Sequence, residues 1–218
     1  MSTILIIDDR PKERAKVVSM AQLSIPKGSG WTAKGIDPLP KMEEYPSLLM
    51  ENDVGVLVLD EKLQEQGASD TGISVQYDGH ELVKYLRPHF PELPIFVVTA
   101  FDREEELQNS ASDVEGIIPR MSFAKEPKVH TARMLRSGQR FSAALQEDLS
   151  RLAELSRKIA IGSANPDEVK QTISIREKLS LSFPSADLMY AKDLIPKAER
   201  LIEGAQALLD SIKVGKAK

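Results

Sequence analysis

Short, unbroken apolar runs rich in β-branched residues, separated by stretches with helical spacing, constrain this chain more than any other feature. Residues 3–7 (TILII), 54–59 (VGVLVL), 95–99 (IFVVT) and 116–119 (GIIP) leave little room for a solvated face, so each suits a strand covered on both sides. A weaker run at 31–36 (WTAKGI) is a candidate fifth strand. Between the runs, residues 11–23, 45–51, 81–90 and 102–111 have helical character. In the first of these the inward side is expected to hold Ala15, Val18 and Ala21 or Gln22, and in the third Leu82, Val83, Tyr85 and Leu86.

Strands that alternate with helices make a parallel sheet through right-handed crossovers. Five such units within residues 1–127 predict a flavodoxin-like, doubly wound α/β fold with a five-stranded parallel sheet. After Pro127 the strand signal stops. Residues 128–161 carry Phe141, Leu145, Leu149, Leu152, Leu155 or Ser156, and Ile159 near a heptad seam, which predicts one long helix closed by Gly162. Asn165-Pro166-Asp167-Glu168 opens a second helix with a capping Asn, a first-turn Pro and two acids, running to about Ser182 before Pro184. Ala191, Ala198, Ala205 and Ile212 recur every seventh residue with Leu194, Leu201 and Leu208 between them, a third helical region that Pro196 kinks or opens. The expected organisation is an α/β domain over 1–127 and a helical, coiled-coil-like module over 128–218, with intramolecular packing or a homodimer seam as the two uses of the heptads.

Charge divides along the same line. Residues 1–127 hold 13 basic and 22 acidic groups, and 128–218 hold 16 and 11. Neutralising phosphates needs clustered Lys and Arg, so the first part is unsuited to nucleic acid. In the second the basic residues are interleaved with acids, and specific nucleic-acid binding is not expected there either. No cysteine is present, which removes disulfides and thiol chemistry and fits a reducing compartment. The first residues reach Asp8-Asp9 before a long apolar run develops, and none approaches membrane-spanning length, so a cytoplasmic protein without membrane contact is expected.

Open parallel sheets bind ligands at the carboxyl ends of their strands. There the chain places Asp8-Asp9, Asp60, Thr99 and Arg120. Three carboxylates at neighbouring strand ends repel one another unless a cation neutralises them, and all-oxygen donors suit Mg²⁺. With a hydroxyl (Thr99) and a cation (Arg120) the set can form a phosphoryl pocket, one carboxylate acting as nucleophile. The plain alternative for Asp8-Asp9 is to cap the helix that Pro11 opens.

Taken in order, these residues resemble the response-regulator receiver family. Ile-Leu-Ile-Ile-Asp8-Asp9 is similar to its opening strand and acidic pair, Val-Leu-Val-Leu-Asp60 to its phosphoacceptor strand, Val-Val-Thr99-Ala100 to its switch-hydroxyl strand, and Asp78-Gly79-His80-Glu81-Leu82 to the start of its third helix. The resemblance implies a phosphoacceptor at Asp60 assisted by Thr99 and Arg120. It implies Mg²⁺ on Asp8, Asp9, Asp60 and the Lys62 backbone carbonyl. As donor it implies a histidine kinase or phosphotransfer protein, and as the role of 128–218, binding an effector.

Departures from the pattern point to a degenerate version. Arg120-Met121 stands where the family has Lys-Pro, and Lys125, a substitute cation if it folds back, has the wrong spacing for the family pattern. Ile117 replaces the aromatic switch residue, and residues 64–77 insert a Gly- and Ser-containing loop beside the site. The chain is therefore read as a signalling receiver or pseudo-receiver, not an enzyme beyond accepting phosphate. One alternative is a DNA-binding regulator whose only recognition candidate is 171–178 (QTISIREK), and another a Mg²⁺-dependent phosphatase or hydrolase of similar topology. His80, His89 and His130 show no ligand spacing, and Trp31 reads as a packing anchor.

Overall fold

The computed structural model describes residues 2–64, 75–100 and 105–182. Five strands, β1 (Ser2–Ile7), β2 (Trp31–Ile36), β3 (Val54–Leu59), β4 (Ile95–Thr99) and β5 (Gly116–Pro119), pair in parallel in the order β2-β1-β3-β4-β5. Around them run α1 (Pro11–Ser24), α2 (Tyr45–Glu51), α3 (Gly79–Leu86), α4 (Glu105–Asn109), α5 (Arg120–Lys125), α6 (Pro127–Ala160) and α7 (Pro166–Ser182). This is the flavodoxin-like order expected from the sequence.

The apolar runs are continuous because both faces of the sheet are covered. Leu5, Ile7, Leu57, Leu59 and Ile95 point to one core with Tyr45 and Leu49 of α2 and Leu82, Val83 and Leu86 of α3. Their neighbours Ile4, Ile6, Val56, Val58, Phe96, Val98 and Ile118 point to the other, with Val17 and Ala21 of α1, Phe123 of α5 and Met134 and Leu135 of α6. The central strand β3 is buried at every position.

Two local expectations shift. The buried side of α1 is Arg14, Val17 and Ala21, while Ala15 is exposed and Val18 half-buried. Arg14 leads that side because its guanidinium has partners inside: Nη1 donates to the Asp8 carbonyl at 2.5 Å and to Asp37 Oδ1 at 2.6 Å. The third helix begins at Gly79 rather than Glu81, since Asp78 and Glu81 form a reciprocal capping box, and it ends at Leu86.

The described residues form two compact units, divided after Glu147. The first runs past Pro127 because the early turns of α6 pack on the sheet. Thr131, Met134, Leu135 and Ser137 are buried, and Gly138 faces Trp31, itself 8% exposed and a packing anchor as expected. In the second unit α6 ends at a left-handed Gly162 (φ 69°), with Ser163 N–H donating to the Lys158 carbonyl and Gly162 N–H to that of Ile159. Asn165 and Glu168 then cap α7 reciprocally at 2.9 and 3.0 Å. The pairs Lys158–Glu168, Arg151–Gln171 and Asp148–Lys178 run the two helical segments antiparallel over buried Leu155, Ile175 and Leu179. The heptads at 191–212 and most of the 64–77 insertion lie outside the described residues. Among the described residues no helix is long and apolar enough to cross a membrane.

Candidate functional site

Register brings the first two carboxylates together. Ile7 pairs with Leu59, so Asp8 and Asp60 leave the sheet side by side, and Asp60 N–H donates to the Ile7 carbonyl at 2.9 Å. Asp8, Asp9 and Asp60 are each 2% exposed, and one oxygen of each lies within 4.8 Å of the others. The N-cap of α1 is Arg10, which makes no side-chain capping bond. Asp8 Oδ1 accepts the Arg10 backbone N–H at 2.9 Å.

Two guanidinium groups occupy the centre of this acidic cluster. Arg10 Nη2 lies 2.6 Å from Asp60 Oδ2, and its Nε 3.7 Å from Asp8 Oδ1. Arg120 Nη2 lies 2.8 Å from both Asp60 Oδ2 and Asp8 Oδ2, with Nη1 3.7 Å from Glu13. The other Asp60 oxygen accepts Glu61 N–H at 2.9 Å. Arg120 Nε and Nη1 are nevertheless buried with no hydrogen-bond acceptor among the described residues. Burial raises the Asp8 pKa above the usual carboxylate value, repulsion by Asp60 adds to this, and Arg120 and the Arg10 N–H oppose it. Lys16, hydrogen-bonded to Glu13, holds the Glu13 carboxyl low.

Thr99 is fully buried at the end of β4, opposite Pro119 and two residues beyond the Val97–Leu59 pair. The Lys62 ammonium lies 3.3 Å from Asp78 Oδ2. Lys125 is exposed in the last turn of α5 and makes no ion pair among the described residues, so it is not the second cation. That place is taken by Arg10, which sequence reading missed. Its only signal was a basic residue directly after the acidic pair.

A second group adjoins the first. Glu61, fully buried next to Asp60, accepts the His80 backbone N–H at 3.1 Å and faces His80 Nδ1 at 2.6 Å. Burial pushes the Glu61 carboxyl up, and His80 pulls against it. His80 is thus a helix-start residue that also ties α3 to the β3 loop. Gly79 has to be glycine here, since a Cβ would fall 2.3 Å from the Asp60 carbonyl oxygen.

A parallel sheet in the order β2-β1-β3-β4-β5 with acids at the ends of β1 and β3 decides the fold. Residues 1–147 have the fold of a response-regulator receiver domain. No family model and no curated protein matches the chain. Solved response-regulator structures do. The Thermotoga maritima regulator TrrA, in complex with Mg²⁺ and BeF, is 17% identical with a TM-score of 0.42, over 60% of this chain and 97% of that one. The receiver domain of Brucella abortus NtrX is 19% identical with a TM-score of 0.45, over 61% and 98%. Salmonella typhimurium RcsB, described for its DNA interaction, is 20% identical with a TM-score of 0.44, over 88% and 98%. The strand order is one that receivers share with flavodoxins, so it gives the fold and not the role. Against the receiver pattern, Arg10 is an additional cation, placed where the sequence chemistry had put a metal ion.

Proposed function

We propose that this chain is a signal-transduction protein whose receiver unit serves mainly as a phosphate-independent interaction module, with the helical part binding an effector protein. The observation that carries the reading is the double guanidinium contact on Asp60 Oδ2, at 2.6 and 2.8 Å. A phosphoacceptor attacks through a carboxylate oxygen. Here one oxygen is held by two cations and the other by Glu61 N–H, and Asp60 is only 2% exposed. Charge-assisted contacts of this kind are short and about twice as strong as neutral hydrogen bonds.

The donor chemistry still fits Mg²⁺. Asp8, Asp9 and Asp60, with the Lys62 carbonyl as a fourth candidate, would hold it, and its charge would neutralise phosphoryl oxygens. Arg10 competes for the same carboxylate, so metal binding is weak. An advantage of only about 1.4 kcal/mol for the guanidinium lowers metal affinity about tenfold.

One observation favours a competent receiver: the buried Arg120 Nε and Nη1, which lack hydrogen-bond acceptors among the described residues, are donors that a phosphoryl group on Asp60 can satisfy. In that version a histidine kinase or phosphotransfer protein is the donor, Thr99 the switch hydroxyl and Arg120 the phosphate contact. No comparable observation supports DNA binding. Residues 171–178 lie within one helix that buries Thr172 and Ile175 and pairs Lys178 with Asp148. Nor does a hydrolase follow, since cations rather than a general acid surround Asp60.

The experiment is beryllofluoride with Mg²⁺ on the full chain, read by oligomeric state and by association with the effector. The expected result is no change. A shift in either that disappears in both Asp60→Asn and Thr99→Ala would overturn the phosphate-independent reading in favour of the competent one.

A further inference from the structure

We infer that the cleft between α6 and the amino end of β5 binds a small ligand carrying a diphosphate group. Glu115, Arg133, Arg136, Ser137, Gln139 and Arg140 line it, and it is an open-sided cleft of about 620 Å³, within the size range of small-molecule sites. Because Glu115 precedes β5 while Asp60 follows β3 in the same parallel sheet, the cleft lies at the opposite end of the sheet from the acidic site.

Three arginines share one helix face at spacings of three and four, spanning roughly 10 Å of helix. Like charges at this spacing repel one another. A surface helix ordinarily relieves that with nearby acids, which are plentiful: residues 1–147 hold 23 acidic and 17 basic groups. Yet among the described residues none of the three forms an ion pair, and their partners are neutral. Arg133 Nη2 donates to the Glu115 carbonyl, with the guanidinium 5.6 Å over the Phe96 ring. Gly116 leaves room for it, since a Cβ there would come 3.0 Å from Nη2. Arg140 Nη2 donates to Ser137 Oγ at 3.1 Å. Arg136 has no polar partner among the described residues and stands exposed.

Two forks held by neutral groups and a third left free give the cleft three arginines against a single acid. Planar guanidinium forks match phosphate oxygens in pairs, and two linked phosphates span neighbouring forks. Glu115, whose Oε2 lies 3.5 Å from Ser137 Oγ, is the one acid in the cleft. It repels the phosphates but accepts hydrogen bonds from hydroxyl groups. The ligand is therefore oriented with its diphosphate on Arg136 and Arg140 and a hydroxyl-bearing part toward Glu115, as in a nucleoside diphosphate.

The test is calorimetric titration of the full chain with ADP and, separately, inorganic pyrophosphate, at constant ionic strength and without added metal. Arg136→Ala and Arg140→Ala are the variants, both exposed positions that leave the core intact. Saturable binding at micromolar to submillimolar concentration is expected, weakened about tenfold or more by either substitution. Equal affinity for the two probes locates recognition in the diphosphate, and tighter ADP binding adds the nucleoside part. No saturation at millimolar probe, affinity unchanged in both variants, or binding only of a glutamate-rich peptide tried in parallel would each overturn the assignment.

Discussion

Arg10 Nη2 sits 2.6 Å from Asp60 Oδ2, joining the entry of α1 to the end of β3 across 50 residues of chain. With Arg120 the guanidinium supplies positive charge to the clustered carboxylates, so a metal ion that used Asp60 would compete with it. Arg10→Ala is expected to raise Mg²⁺ affinity about tenfold, measured by calorimetry. An unchanged or lower affinity means that Arg10 does not compete with the metal.

Asp8 reports on the same cluster. Its folded pKa is raised, first by burial and then by Asp60, so the native state binds this proton more tightly than the unfolded chain. Its contribution to stability therefore falls as pH rises from about 3.8 through the folded pKa. Asp60→Asn removes the repulsion and should move the Asp8 pKa down, followed by carboxyl-carbon NMR. A value that does not move would show that Asp60 exerts no charge on Asp8.

Tyr45, Tyr77 and Leu39 form a closed ring of hydrogen bonds. Leu39 N–H donates to Tyr45 Oη at 2.9 Å and Tyr77 Oη donates to the Leu39 carbonyl at 2.5 Å, which leaves Tyr45 to donate to Tyr77 at 2.8 Å. Burial pushes the Tyr45 phenol up to about 12 and raises Tyr77 as well. Both ionise more readily unfolded, so stability should drop as pH climbs above about 10. In an alkaline absorbance titration, two of the four tyrosines should appear only with unfolding. Tyr77→Phe strands the Leu39 carbonyl and should cost about 1–3 kcal/mol in a denaturant melt.

Gly138 lies inside a long helix, where alanine ordinarily stabilises by about 1 kcal/mol. A Cβ there would come 2.4 Å from Trp31 Cη2 and 2.7 Å from Val56 Cγ2. Gly138→Ala is accordingly expected to destabilise residues 1–147, by about 1–3 kcal/mol in a thermal or denaturant melt. A more stable variant would show that this turn of α6 does not pack on the sheet. By the same logic a fragment ending at 147 should outlast one ending at 127.

The strands were legible in the sequence because both faces of a parallel sheet are buried, which writes each strand as a continuous apolar run. The acids at the ends of β1 and β3 were legible for a related reason: a carboxylate closing such a run has few structural excuses. The expected phosphoryl site is legible only as far as these carboxylates and Arg120, which do converge. Helix phase was less secure. In α1 the inward position went to Arg14, which no hydrophobic pattern selects, because its partners Asp8 and Asp37 come from the sheet side.

Local sequence thus determined the five strands, the helices apart from α5, their parallel arrangement and the clustering of Asp8, Asp9 and Asp60, since each follows from short-range pattern and from where parallel strands end. Only the tertiary structure decided which cation meets Asp60. An arginine at a helix entry can turn toward solvent or toward the sheet, and the choice depends on a carboxylate far away in the chain. It also decided that α6 serves both units. Helical periodicity is the same on either side of residue 147, and the need for glycine at 138 exists only because Trp31 lies against it.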